Sequence, residues 1–214
     1  MARIYRNRLV AIALILCSVG AQRAIAFLLP LQPEAVREAY FFGHSTDRKK
    51  VSDFLEQYIR HLPTRSEKPG VGAIELLTPY AQVVHRSFDI SMGYSAPQAQ
   101  IDYDTKPGLI QVRVWLYVGS IDAYKANLFV DNEGHVRDRR ENFWQEFQFS
   151  VTQEHIIEPT KIEGKPVYSR RGLGGAEIWL IFDAAEFASG TAKVEVTAPD
   201  HQTVVADFDL DKLK

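Results

Sequence analysis

Few residues of this chain are of a type and spacing that does chemistry. Six histidines stand at 44, 61, 85, 135, 155 and 201, and the single cysteine is Cys17. A nucleophilic hydrolase of the G-x-S-x-G kind finds no matching turn, and Ser45, next to His44, reads as a helix cap, the usual role of a hydroxyl there. His-x-x-x-His and His-Glu-x-x-His spacings are absent, so no zinc site is expected. Arg171-Gly172-Leu173-Gly174-Gly175 has glycine amides that could approach a phosphate. It meets neither the dinucleotide nor the P-loop spacing, and a strand follows it, so a hairpin loop is the reading. Asp207, Asp209 and Asp211 alternate near the end of the chain, an oxygen-rich pattern of the sort calcium takes. The competing reading is charge on an edge strand, which discourages edge-to-edge pairing. Glu146, Glu177, Asp102 and Asp104 are the acids open to a paired-carboxylate glycosidase, and nothing in their spacing sets two of them across a cleft. The expectation is no catalytic residue, no metal and no cofactor.

Binding surfaces stand out more than catalytic ones. In IQVRVWLYV, residues 110 to 118, Ile110, Val112, Val114, Leu116 and Val118 alternate strictly and form the core face of a strand. The other face carries Gln111, Arg113, Trp115 and Tyr117. Residues 124 to 130 carry Phe129 on the corresponding face, and FWQEFQFSV, residues 143 to 151, carries Trp144 there, with Phe143, Phe147, Phe149 and Val151 inward. If these three strands are neighbours, as consecutive strands usually are, Trp115, Tyr117, Phe129 and Trp144 make one aromatic strip that needs a cover or a ligand. GYSAPQAQIDYD, residues 93 to 104, reads as a long loop offering Tyr94 and Tyr103 as a second binding candidate.

The elements that must position these residues begin after a leader. Arg3, Arg6 and Arg8 precede an uncharged run from Leu9 to Ala21, too short for a comfortable membrane span, and Ala24-Ile25-Ala26 predicts cleavage before Phe27. Leu16 is too bulky for the position before a lipidated cysteine, so Cys17 is expected to leave with the leader. The remaining 188 residues carry a formal charge of about −6, since the leader takes four arginines from a chain of net −2. Such a surface is poorly suited to nucleic acid or anionic lipid. A periplasmic or secreted location follows.

PEAVREAYFF, residues 33 to 42, predicts a helix between Pro33 and Gly43. Ser45 or Thr46 then caps a second, with Val51, Phe54, Leu55, Tyr58, Ile59 and Leu62 on one face up to Pro63. Residues 82 to 91 read as a strand with Val84, Phe88 and Ile90 on one face. Weaker strands are expected near 155 to 162 and 166 to 170, and stronger ones at 176 to 183, 191 to 198 and 203 to 210. The expected division is a signal peptide, 1–26; a helical hairpin, 27–63; a linker, 64–72; and a β-sandwich domain, 73–214. With no helices expected between consecutive strands, the fold class is mainly β, an antiparallel two-sheet sandwich of immunoglobulin-like architecture behind a short helical hairpin. The hairpin is the expected cover of the aromatic strip.

REAYFFG, LTPYAQVVHRS and GYSAPQAQIDYD resemble segments of uncharacterised exported bacterial proteins. The run from Ile178 to Leu213 is similar to the last strands of immunoglobulin-like modules. The resemblance implies export and a sandwich, and no activity. The functional expectation is a non-catalytic binding or assembly module of the cell envelope with a protein or glycan partner. The alternatives are a hydrolase with carboxylates in a sheet cleft and a calcium-stabilised adhesion module.

Overall fold

The alternation in IQVRVWLYV is realised: along Leu109–Tyr117 every second side chain is buried. The computed structural model describes residues 30–63, 69–90, 92–118, 141–170 and 172–214, and the backbone of 128–130 and 136–138. In chain order the elements are α1 (Pro33–Gly43), α2 (Arg48–Glu56), β1 (Ile59–His61), β2 (Gly70–Leu77), α3 (Pro79–Asp89), α4 (Ala96–Thr105) and β3 (Leu109–Tyr117). There follow β4 (Leu128–Val130), β5 (Val136–Asp138), a 3-10 turn at Phe143–Glu146, β6 (Gln148–Thr152), β7 (Ile156–Ile157), β8 (Lys161–Ser169), β9 (Gly172–Asp183), β10 (Thr191–Thr197) and β11 (Thr203–Asp209).

The fold is mainly β. One sheet has the order β1-β2-β3-β9-β8, a second the order β11-β10-β6-β7, and both are antiparallel throughout. A single apolar cluster joins Ile74, Val112, Val114, Ile178 and Leu180 of the first sheet to Val151, Val194, Val196 and Phe208 of the second. Removing these side chains from water is the main force holding the layers together.

On the outer face of the five-stranded sheet the four helices form a third layer. Val36 and Ala39 of α1, Val51 and Leu55 of α2, Tyr80, Val83 and Val84 of α3, and Ala99 and Tyr103 of α4 share one core. The layer is tied to the sandwich through Lys214: the Tyr58 hydroxyl donates to its carbonyl at 3.0 Å, and the Thr78 hydroxyl donates to the same oxygen. The α1–α3 crossing is close because Gly43 lacks a side chain. A Cβ there would stand 2.5 Å from the Val84 carbonyl oxygen and 2.7 Å from Ser87 Cβ. Gly43→Ala therefore lowers stability by roughly 1–3 kcal/mol through overpacking; an unchanged urea midpoint would show that the two helices part freely.

Several expectations are corrected. Within the stretch 82 to 91, expected as a strand, residues 82 to 89 are helical and make up most of α3, and the expected loop at 93 to 104 is mostly α4. Thr78 caps α3, accepting from Ala81 N at 3.2 Å, and Ser95 caps α4, with a proline in the first turn of each helix. The second helix ends at Glu56 and is capped by Asp47 rather than Ser45 or Thr46, and Ile59–His61 is a strand paired with β2. β2 begins at Gly70, inside the stretch expected as linker. Two helices thus separate β2 from β3. The expected strand at 143 to 151 opens as a 3-10 turn and becomes extended only at Gln148. Asp211 lies in a 3-10 turn past the end of β11, so the three aspartates do not share a strand face. The leader at 1–26 and residues 124 to 127 of the expected strand lie outside the described residues.

Candidate functional site

Cross-strand pairing sets the outer face of the five-stranded sheet in rows. Glu75, Arg113 and Trp179 face one another across β2, β3 and β9; Ala73, Trp115 and Glu177 make the next row, and Leu77, Gln111 and Ile181 the row on the other side. Directly paired residues project to the same side of a sheet. Arg113 therefore stands at the centre of a face with acids and indoles around it.

Its contacts are extensive. Nη2 is 2.8 Å from Glu75 Oε2 and Nη1 is 3.2 Å from Glu177 Oε1. The guanidinium lies 4.1 Å from the Trp115 ring centroid and 4.8 Å from that of Trp179, a cation–π arrangement with both. From α3, His85 Nε2 sits 3.4 Å from Arg113 Nη2, and His85 Nδ1 is 3.2 Å from Asp89 Oδ2. A guanidinium only donates, so Nε2 accepts and the ring proton sits on Nδ1, directed at Asp89. The imidazole is neutral in that arrangement. Its pKa is lowered by burial, against the pull of Asp89, and Arg113 lowers it further. Glu75 is fully buried, and burial pushes its carboxyl up to about 7 even with Arg113 drawing it down.

Beside this cluster a cleft of about 540 Å³ opens between α3, α4 and the sheet. Its floor is Gln111, Arg113, Glu177 and Trp179; its walls include Tyr94, Tyr103, Arg86, Asp102 and Lys106. Arg86 Nε meets Asp102 Oδ2 at 2.9 Å and its guanidinium lies 5.5 Å from the Tyr94 ring centroid. Burial, with the Asp102 charge added, pushes the Tyr94 hydroxyl up to about 12. The Tyr103 hydroxyl is engaged, accepting from Leu31 N at 2.7 Å. Asp89, Asp102 and Glu177 stand against Arg86, Lys106 and Arg113, so the lining is electrically balanced.

No family model, curated protein or solved structure matches the chain.

The anticipated aromatic strip does not form. Trp115 and Tyr117 share the outer face of β3, but Trp144 lies against Gly164, where a Cβ would fall 2.1 Å from its indole. Gly164 pairs with Ile178, an inward residue, so Trp144 packs on the core side of the sheet. Phe129 belongs to the separate β4–β5 ribbon, and its side chain lies outside the described residues. Tyr94 and Tyr103, 54 to 72 residues from the chain segments they bond, are half core and half site: both are buried among the helices and both line the cleft. Glu75 and His85 are the members that reading the sequence passed over. A lone acid in the apolar strand GVGAIELL, with one arginine in the apolar strand IQVRVWLYV, was the available signal of a buried pair. Among the described residues no group of three His, Cys, Asp or Glu side chains is placed to hold a metal ion.

Proposed function

We propose that the protein is an exported, non-catalytic binding module of the cell envelope whose cleft beneath α3 and α4 holds an uncharged sugar unit. The observation that carries this reading is the cleft's combination of aromatic walls with a charge-balanced polar floor. Tyr94, Tyr103 and Trp179 offer flat apolar surface for the C–H face of a pyranose. Gln111, Glu177 and Lys106 offer planar or multivalent groups for its hydroxyls. A volume of about 540 Å³ suits a mono- or disaccharide. Export is supported by the arginine-led apolar run ending at Ala24-Ile25-Ala26. No described helix is long and apolar enough to cross a membrane.

Titration with glucose, N-acetylglucosamine and their β-linked disaccharides, followed by calorimetry or amide NMR, tests the site. Binding of one of them should weaken at least about tenfold in Trp179→Ala and in Gln111→Ala, the loss of a contact worth more than about 1.4 kcal/mol. Affinity indifferent to both substitutions places the sugar elsewhere and defeats the assignment, as does the absence of binding by all of them.

One observation favours a second reading, a hydrolase: Glu75 and Glu177 flank one guanidinium, and Glu75 has the raised pKa of a general acid. Glu75 does not line this cleft and borders instead the hollow on the other side of His85, which argues against direct contact with a sugar held in the cleft. Release of nitrophenol from aryl glycosides, lost in Glu177→Gln, would turn the decision toward catalysis.

A further inference from the structure

A second hollow lies on the other side of His85. This groove, of about 320 Å³, runs between α2, α3 and the sheet. Its lining divides by chemistry: Leu55, Ile59, Phe88 and Trp115 give one apolar side, and Glu56, Glu75 and Asp89 face them with Arg113 as the only fixed cation. That cation is shared with Glu177. The acids therefore outnumber the fixed cation of the lining.

Pairing within the groove is incomplete in a specific way. Glu56 Oε1 is 2.8 Å from His61 Nε2, and Asp89 Oδ2 faces His85. Glu75, 0% exposed, stands 2.8 Å from Arg113 Nη2 through Oε2 as an ion pair, and neither of its carboxylate oxygens has a partner in hydrogen-bond geometry. A buried carboxylate oxygen without a donor is rare, because burial strips its water without replacement. The feature calls for a donor that enters from the groove.

We propose that this groove binds a primary ammonium carried on an alkyl stem, its head over Glu75 between Asp89 and Glu56 and its methylenes along Leu55 and Ile59. An ammonium brings three donors and no acceptor, which matches a buried carboxylate with open acceptor sites flanked by two further acids. A quaternary ammonium fits less well. It has no donor for Glu75 Oε1, and the rings it would need are already occupied: Arg48 stands 3.5 Å from the Phe88 centroid and Arg113 stands 4.1 Å from that of Trp115. A metal ion is disfavoured by the lack of a converging ligand set among the described residues. The apolar side of the groove rewards the stem, as it does for any long basic side chain lying on a surface.

A free diamine and a lysyl side chain carry the same head and stem, so putrescine and Nα-acetyl-lysine amide are both titrated, by calorimetry at pH 6 and pH 8 in two buffers of different ionisation heat. The charged and titratable groups facing Glu75 are Arg113 on β3, Glu177 on β9, His85 and Asp89 on α3, and, across the groove, Glu56 on α2 and His61 on β1. Only the carboxylate form of Glu75 attracts the ammonium, and with its pKa at about 7 that form is roughly a tenth of the protein at pH 6 and most of it at pH 8. At least one amine is expected to bind about tenfold more tightly at pH 8 and to release protons on binding. Glu75→Gln loses both the affinity and the pH dependence, whereas His61→Asn keeps the pH dependence. Equal affinity at the two pH values, affinity unchanged in Glu75→Gln, or no heat from either amine beyond matched sodium chloride overturns the assignment. Proton release is read on the unsubstituted protein, so the test survives a Glu75→Gln variant that folds poorly. Sugar affinity in the neighbouring cleft is a separate titration, and either site can fail without the other.

Discussion

Arg113→Met unfolds about 3–5 kcal/mol more readily than the unsubstituted protein at pH 8. The substitution keeps most of the apolar stem and removes the guanidinium. Glu75, fully buried, then loses its one ion-pair partner among the described residues, and Glu177 loses a partner 3.2 Å away. Two cation–π contacts and the acceptor contact to His85 go with them. The loss is large because a charge is stranded in a dry site, not because the pair itself contributed that much. The same argument fixes its pH dependence. At pH 5 Glu75 is protonated and no charge is stranded there, so the penalty shrinks. In the double variant Arg113→Met/Glu75→Gln it shrinks at pH 8 as well. Denaturant unfolding of the three proteins at pH 5 and pH 8 measures this directly. A penalty of the same size at both pH values, or one not relieved by Glu75→Gln, would place the importance of Arg113 in packing alone.

That Arg113 holds such a position follows from features only partly legible in the sequence. The alternation of IQVRVWLYV places Arg113 opposite the core with no other information, because burial of one strand face is a local pattern of period two. Its partners are not local. Glu75 comes from a strand 38 positions earlier and Trp179 from one 66 positions later, and only the sheet order β2-β3-β9 brings them together. His85 was hidden by a misread period. Val84 and Phe88, four apart, fit a helix face as well as a strand face, and Ile90 falls just past the helix end. Thr78-Pro79 and Ser95-Ala96-Pro97 carry the deciding signal, since a hydroxyl followed within two residues by proline marks a helix start in both.

The aromatic residues teach a related point. A backbone extended from Phe143 through Val151 would put Trp115 and Trp144 on one face. The 3-10 turn at Phe143–Glu146 breaks that parity, and Trp144 turns inward onto Gly164. One turn of helix is enough to move a side chain to the other side of a sheet. The cover of the outer face is accordingly not the α1–α2 hairpin alone. α3 and α4 complete it, and the two hollows beside His85 are the spaces left where four short helices lie across a twisted sheet.

The pH dependence of folding is the second large effect. Glu75 has a folded pKa of about 7 against 4.5 for a free glutamate, so between those values the folded state holds more protons than the unfolded chain. Unfolding free energy then falls as pH rises through this window, by roughly 3 kcal/mol in total, and levels off above it. His85 acts in the opposite direction. Burial lowers its pKa below 6.5, so the unfolded chain holds the extra proton and stability rises as pH climbs toward 6.5. The two slopes partly cancel in acid, which flattens the raw profile of the unsubstituted protein. Subtracting Glu75→Gln isolates the carboxyl: the variant gains on the unsubstituted protein steadily from pH 4.5 to pH 8, by the same roughly 3 kcal/mol. A difference that stays constant across that range would mean that Glu75 titrates alike folded and unfolded. The cost of burying this carboxylate would then be offset in full by its ion pair with Arg113.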